Sequence, residues 1–252
     1  MTAGRTRPRV LLLHGIGGGA AIWGASGSGT VAALEAAGCA TKALDLPGYG
    51  GAPGTTSIAG FADAVLQAAG DAPVVLVGHS MGGMVAQEVA AVAPQRVAGL
   101  VLLCTSAAFG PPGGSWQAQF VAERLAPLEA GIGMAGMAER LVPGLVAPQA
   151  GNGPRRIATQ VMSAVPEATY RRALVAIAAF DRREALARIG VPTLVVAAEH
   201  DRTAAPEVMR RMADRIPGAE YTCLADAGHI ANVEQPRAFH AVLLDFLTRR
   251  FP

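Results

Sequence analysis

Ser80 sits at the centre of Gly78-His79-Ser80-Met81-Gly82, between the apolar, β-branched burst Val74-Val75-Leu76-Val77 and a run of helical period through Met84, Val85, Val89 and Val92. A chain that passes from buried strand to helix in so few residues must turn sharply, with Ser80 at the apex. Glycine at 78 and 82 removes the Cβ atoms that would collide in that turn. Such a bend would lift the hydroxyl above the sheet as a nucleophile; the simpler alternative is a helix N-cap serine. A serine hydroxyl attacks nothing at neutral pH without a base beside it. The histidines are His14, His79, His200, His229 and His240. His229, in Asp226-Ala227-Gly228-His229 just after the last strand-like run, is best placed, because strand-to-helix loops of a parallel sheet gather at one edge. His79 should turn away from its neighbour, and His240 falls mid-helix. A base needs a carboxylate to hold its tautomer, and Asp201, in Ala198-Glu199-His200-Asp201 after another strand, is the first choice. Glu199 and Asp226 are the runners-up.

These residues need a scaffold of alternating strands and helices. Val10–Leu13 reads as a first buried strand ending in the glycine-rich His14-Gly15-Ile16-Gly17-Gly18-Gly19, which has no lysine and no G-x-G-x-x-G register and is a poor nucleotide site. Trp23 follows in the first turn of the next segment, then a helix over Thr30–Ala37. A strand over Cys39–Leu44 runs into Asp45-Leu46-Pro47-Gly48-Tyr49-Gly50, and helix Ile58–Ala69 leads to the Ser80 turn. After a strand at Val97–Cys104 the rhythm breaks at Pro111-Pro112-Gly113-Gly114. Helical segments follow near Ser115–Leu128, Gly133–Leu141, Pro154–Val165 and Glu167–Phe180, punctuated by Pro127, Pro143, Pro148 and Pro166. The βα rhythm resumes at Val191–Val196, with helix Pro206–Arg215, strand Glu220–Leu224 and a last helix Pro236–Arg249. The expected organisation is one α/β domain, residues 1–110 and 181–252, with a helical insertion at 111–180 between two core strands.

With 51% hydrophobic and 16% charged residues over 252 positions, the chain has ample material for a large core. A net charge of +2 argues against a nucleic-acid partner. Cys39, Cys104 and Cys223 lie in apolar, strand-like runs; an odd count without framework spacing suggests buried reduced thiols and a cytoplasmic setting. No apolar run reaches membrane-span length, and Val10–Leu13 behind Arg5, Arg7 and Arg9 is too short for a signal peptide.

The order Ser80, Asp201, His229, with His14-Gly15 after a strand, Asp45-Leu46-Pro47-Gly48-Tyr49-Gly50, Gly78 through Gly83 and Gly228-His229, resembles the α/β-hydrolase superfamily over nearly the whole chain. The resemblance implies a mostly parallel sheet of about six strands, with the usual N-terminal hairpin shortened or missing because few residues precede Val10. It also implies a helical cap at 111–180, an oxyanion hole from the N–H groups of Ile16 and Met81, and no metal or organic cofactor. No His/Cys cluster has metal-ligand spacing. Phe120-Val121-Ala122-Glu123-Arg124-Leu125, Leu128-Glu129-Ala130-Gly131 and Thr105-Ser106-Ala107-Ala108 are loosely similar to 3-oxoadipate enol-lactonases. That similarity would cast Arg124 as partner of a substrate carboxylate, against the simpler reading of a solvated helix face. Trp23, Trp116, Phe120 and Ile230 are expected at the substrate, with Ile16, Met81, Met134 and Met162 as further apolar candidates.

The expected activity is hydrolysis of a carboxylic ester or lactone of a small to medium, partly apolar substrate by a monomer or homodimer. Rivals are a C–C bond hydrolase of the meta-cleavage-product type, which commonly carries Asn where His79 stands, perhydrolysis by the same triad, and a receptor that binds its ligand without turnover. Ser80 disfavours the dehalogenases and epoxide hydrolases of this fold, whose nucleophile is aspartate.

Overall fold

The structure, a computed structural model, describes residues 8–24, 26–51, 53–110 and 115–252. Residues 1–7 and the expected break at 111–114 lie outside the described residues. Six strands, β1 (Val10–Leu13), β2 (Thr41–Leu44), β3 (Val74–His79), β4 (Val97–Leu103), β5 (Thr193–Ala198) and β6 (Glu220–Leu224), form one sheet in the order β2-β1-β3-β4-β5-β6. Every neighbouring pair is parallel. The Val/Leu/Ala-rich β1, β3 and β5 are buried along their whole length, as strands covered on both faces must be, whereas the edge strands β2 and β6 are half-exposed.

Helices α1 (Thr30–Ala36), α2 (Ile58–Ala69), α3 (Met81–Val92), α8 (Pro206–Asp214), α9 (Ala231–Glu234) and α10 (Pro236–Arg250) flank the sheet, α1 packing on α10 and α2 on α3. The strand order reverses between β1 and β3, and the loops leaving two such strands diverge to open a crevice. The loop after β1 carries Gly15 and Ile16, and the turn after β3 carries Ser80.

Four helices, α4 (Trp116–Glu129), α5 (Gly133–Leu145), α6 (Asn152–Ser163) and α7 (Glu167–Ala178), stand between β4 and β5. An antiparallel bridge between Ala108 and Asp181 closes the neck of this insertion, where Phe109 N–H donates to Phe180 O at 3.0 Å and Arg182 N–H to Ala107 O at 2.7 Å.

Beyond shifts of one or two residues at element ends, such as β2 beginning at Thr41 instead of Cys39, particular residues explain further departures from the sequence expectation. α5 continues past its expected end at Leu141 and takes in Pro143, which lacks the N–H for one i→i−4 bond; the helix stops two residues later, as α4 does after Pro127. The strand expected from Val191 begins at Thr193, since Pro192 has no N–H for a ladder and only its carbonyl takes part, accepting from Leu100 N. Cys39 and Cys104 are buried but Cys223 is exposed, on the edge strand β6 where one face meets solvent. No helix among the described residues is long and apolar enough to cross a membrane.

Candidate active site

Ser80 occupies the turn between β3 and α3 with φ 53° and ψ −117°, a conformation that side-chain-bearing residues rarely adopt. The glycines permit it. A Cβ on Gly78 would run into the Gly82 carbonyl, and one on Gly82 into the Leu13 carbonyl, both closer than real atoms approach. The turn is pinned by Ser80 N–H to Leu103 O at 3.0 Å and by the Thr105 hydroxyl, which donates to Ser80 O at 2.7 Å.

Three side chains distant in sequence meet here. Ser80 Oγ lies 3.0 Å from His229 Nε2, and His229 Nδ1 lies 2.9 Å from Asp201 Oδ2. The buried carboxylate can only accept, so Nδ1 carries the proton and Nε2 is left as the acceptor for the Ser80 hydroxyl. Asp201 is 3% exposed, and its other oxygen accepts from Thr203 N at 2.7 Å and Ala204 N at 3.0 Å. Burial alone would raise this carboxyl. The facing His229 imidazole and those donors outweigh burial and hold it at about 2.

The His229 loop is fastened on both sides. Its N–H donates to Leu145 O at the end of α5 (2.7 Å), and the Glu234 carboxylate accepts from Gly228 N (3.0 Å), Ile230 N (3.3 Å) and Ala147 N (2.7 Å). His79 turns from Ser80 as expected, but toward His229: its Nε2–H donates to the His229 carbonyl at 2.8 Å. Burial drives His79 down to about 3, so it is neutral.

The loop after β1 is held as firmly. His14 Nε2 accepts from Leu46 N at 3.1 Å, which places the ring proton on Nδ1, and Nδ1–H donates to Gly15 O at 2.9 Å. Gly18 N–H reaches the same carbonyl at 3.0 Å. Burial lowers His14 to about 4. The peptide carrying Ile16 N–H is thereby fixed, and Gly15 lies so near that a Cβ on it would sit 3.1 Å from Ser80 Cβ. Among the described residues, neither Ile16 N–H nor Met81 N–H donates to a protein acceptor.

Ser80, Ile16, Met81 and His229 open into a mainly apolar cavity of about 140 Å³, close to the size that takes a benzene-sized molecule. Phe120, Arg124 and Ile230 line it, as does Met162. Arg124 lies 5.1 Å from the Phe120 ring centre and makes no hydrogen bond or ion pair among the described residues. The other expected apolar residues stand apart. Trp23 is fully buried against Phe239: within the 3₁₀ turn Ala20–Trp23 it is Ile22 that lines the cavity, while the neighbouring Trp23 packs into the core. Trp116, 43% exposed, stacks on the outer side of Phe120 with ring centres 5.4 Å apart. Met134 is buried in the insertion, away from the cavity wall.

Neither runner-up carboxylate faces His229 Nδ1. Glu199 accepts from Asp226 N–H, and Asp226 accepts from Gln149. With His200 these two form an exposed group whose ligand atoms lie within 4.8 Å of one another, a proximity that spacing along the chain did not suggest. Glu234, Thr105 and Tyr49 support the site without having been singled out from the sequence. Tyr49 and Thr105 fall in stretches quoted for the resemblance, without a role of their own, and Glu234 stands five residues after His229.

The model of the "Alpha/beta hydrolase family" matches residues 10–242. The chain is 33% identical over 252 residues to the "Putative carbamate hydrolase RutD" of Variovorax paradoxus, covering 95% of this chain and 91% of that protein. It is 28% identical to the pimeloyl-[acyl-carrier protein] methyl ester esterase of Klebsiella pneumoniae, covering 98% and 96%. The crystal structure of the enol-lactonase from Burkholderia xenovorans superposes with a TM-score of 0.84 at 28% identity, covering 96% and 91%. The chain belongs to the alpha/beta hydrolase family and is a hydrolase.

Proposed function

We propose that the chain hydrolyses a carboxylic ester or lactone through an acyl-enzyme on Ser80. The observation that carries this reading is the continuous set of contacts from Ser80 Oγ through His229 to Asp201 at 3.0 and 2.9 Å. Ser80 Oγ attacks the carbonyl carbon while its proton passes to His229 Nε2, and Asp201 stabilises the imidazolium without taking a proton. The N–H groups of Ile16 and Met81 receive the oxyanion, a preorganised pair of the kind that supplies about 3 kcal/mol per donor. As the C–O bond breaks, Nε2 returns the proton to the leaving oxygen. Water then attacks the acyl carbon, gives its proton to Nε2, and Ser80 Oγ regains one on release of the acid. No metal or organic cofactor takes part.

The helices of 111–180 act as a cap that sets selectivity. The apolar wall favours an acyl or ring group of modest size, and Arg124 in its lining, without a hydrogen bond or ion pair among the described residues, suits a substrate carboxylate. The relatives' names, a carbamate hydrolase, a methyl ester esterase and an enol-lactonase, share attack on an acyl carbon and leave the leaving group open. The partner is thus a small molecule, bound by a monomer or homodimer in the cytoplasm.

A screen of p-nitrophenyl esters, lactones and a dienoate C–C substrate on wild type and Ser80→Ala tests this. Steady turnover of esters or lactones, abolished by Ser80→Ala, is expected. A single burst without turnover would mean a receptor, cleavage of the dienoate alone a C–C hydrolase, and an active Ser80→Ala a different nucleophile.

A further inference from the structure

We infer that Tyr49 and Thr169 are positioning residues through which the helical cap holds the oxyanion donor Ile16 in place; this rests on the serine-hydrolase reading above. Ile16 N–H belongs to a peptide whose carbonyl, Gly15 O, is held by His14 and Gly18. That leaves the other side of Ile16 to be fixed. The Tyr49 hydroxyl does so, donating to Ile16 O at 2.8 Å, with its ring edge-on to His14 at 4.4 Å. Both peptide planes flanking the donor are then constrained, and the N–H cannot swing as charge builds on the substrate oxygen.

Tyr49 is in turn placed by the cap. Thr169, buried on α7, donates through Oγ1 to Gly48 O at 2.8 Å. Gly48 has φ 91°, and a Cβ there would meet Thr169 Oγ1 and Cγ2 at 2.9 Å, so glycine is what admits the threonine. The next residue of α7, Tyr170, lines the cavity. One helix therefore touches both the substrate space and the loop that orients the donor. A cap seated on substrate and a well-aimed Ile16 N–H become linked states.

The test uses p-nitrophenyl butyrate and a trifluoromethyl ketone, whose adduct with Ser80 bears an oxyanion. Tyr49→Phe removes one hydroxyl and nothing else. It should lower kcat by about tenfold, less than loss of a donor itself, with KM within about twofold. Affinity for the ketone should fall by the same factor, while the product carboxylate binds as before. Thr169→Val should act in the same direction and more weakly, Thr169→Ser should retain activity, and Tyr49→Phe/Thr169→Val should be no slower than Tyr49→Phe alone, since both act along one path. Melting curves show whether each variant is folded at the assay temperature; should Tyr49→Phe not fold, the Thr169 pair decides. Wild-type kcat in Tyr49→Phe, unchanged ketone affinity, equal activities of Thr169→Val and Thr169→Ser, or full additivity in the double variant would overturn the inference. Any of these with Ser80→Ala inactive leaves the serine mechanism standing, whereas an active Ser80→Ala removes the mechanism itself.

Discussion

Two of the five histidines, His14 and His79, are buried and neutral near Ser80, and this makes the fold sensitive to mild acid. An unfolded imidazole titrates near 6.5, whereas burial holds His14 at about 4 and His79 at about 3. Both folded values lie below the unfolded one, so the unfolded chain takes up these protons first. The corresponding stability is fully present above about pH 6.5 and is lost as pH falls toward 4 and 3. At pH 5 an unfolded imidazole is almost wholly protonated and each folded one almost wholly neutral, which amounts to about 2 kcal/mol per histidine and about 4 kcal/mol for the pair. His240, lowered by burial, adds in the same direction; Glu234, raised by burial, opposes it; Asp201, held at about 2, contributes only below about pH 4. Urea unfolding at pH 7.5 and pH 5.0 measures the difference directly, provided the slope with denaturant is unchanged. His79→Leu should be less stable than wild type at pH 7.5, having lost its bond to the His229 carbonyl, yet its drop between the two pH values should be smaller by about 2 kcal/mol. A wild-type drop below about 1 kcal/mol, or one that His79→Leu leaves unaltered, would mean that these rings are not held neutral by burial.

Ser80→Ala and His229→Ala should each lower kcat by at least about three orders of magnitude, measured on whichever p-nitrophenyl ester turns over fastest. Arg124→Ala should raise KM for esters bearing a distal carboxylate and leave neutral esters unaffected; equal losses for both would make Arg124 a packing residue over Phe120. Gly82→Ala should destabilise by about 1–3 kcal/mol or more in urea, because its methyl group would press on the Leu13 main chain where nothing flexible can yield.

What could be read in advance was whatever the chain writes locally. Ser80, Asp201 and His229 each lie in a strand-to-helix connection, and a parallel sheet collects such connections at one edge, so their order along the chain pointed to their meeting. The bonds that aim them left no such trace. Tyr49 reaches Ile16, Thr169 reaches Gly48 and His79 reaches the carbonyl of His229 by single contacts to main-chain atoms, which impose no periodicity on either partner. Trp23 shows the converse limit. An apolar residue after a glycine-rich loop suits a cavity wall and a core equally, and only the fold-back of Ala20–Trp23 onto Phe239 decides. The end of α5 was expected at Leu141, ahead of Pro143, whereas the helix carries that proline and stops two residues after it.

Intact-mass and peptide mass spectrometry after brief exposure to a fluorophosphonate tests most directly whether an activated serine works at this turn. A single stoichiometric adduct on Ser80 is predicted, absent in Ser80→Ala and formed far more slowly in His229→Ala. Absence of labelling in folded wild type, or an adduct at Ser80 whose rate His229→Ala leaves unchanged, would contradict it.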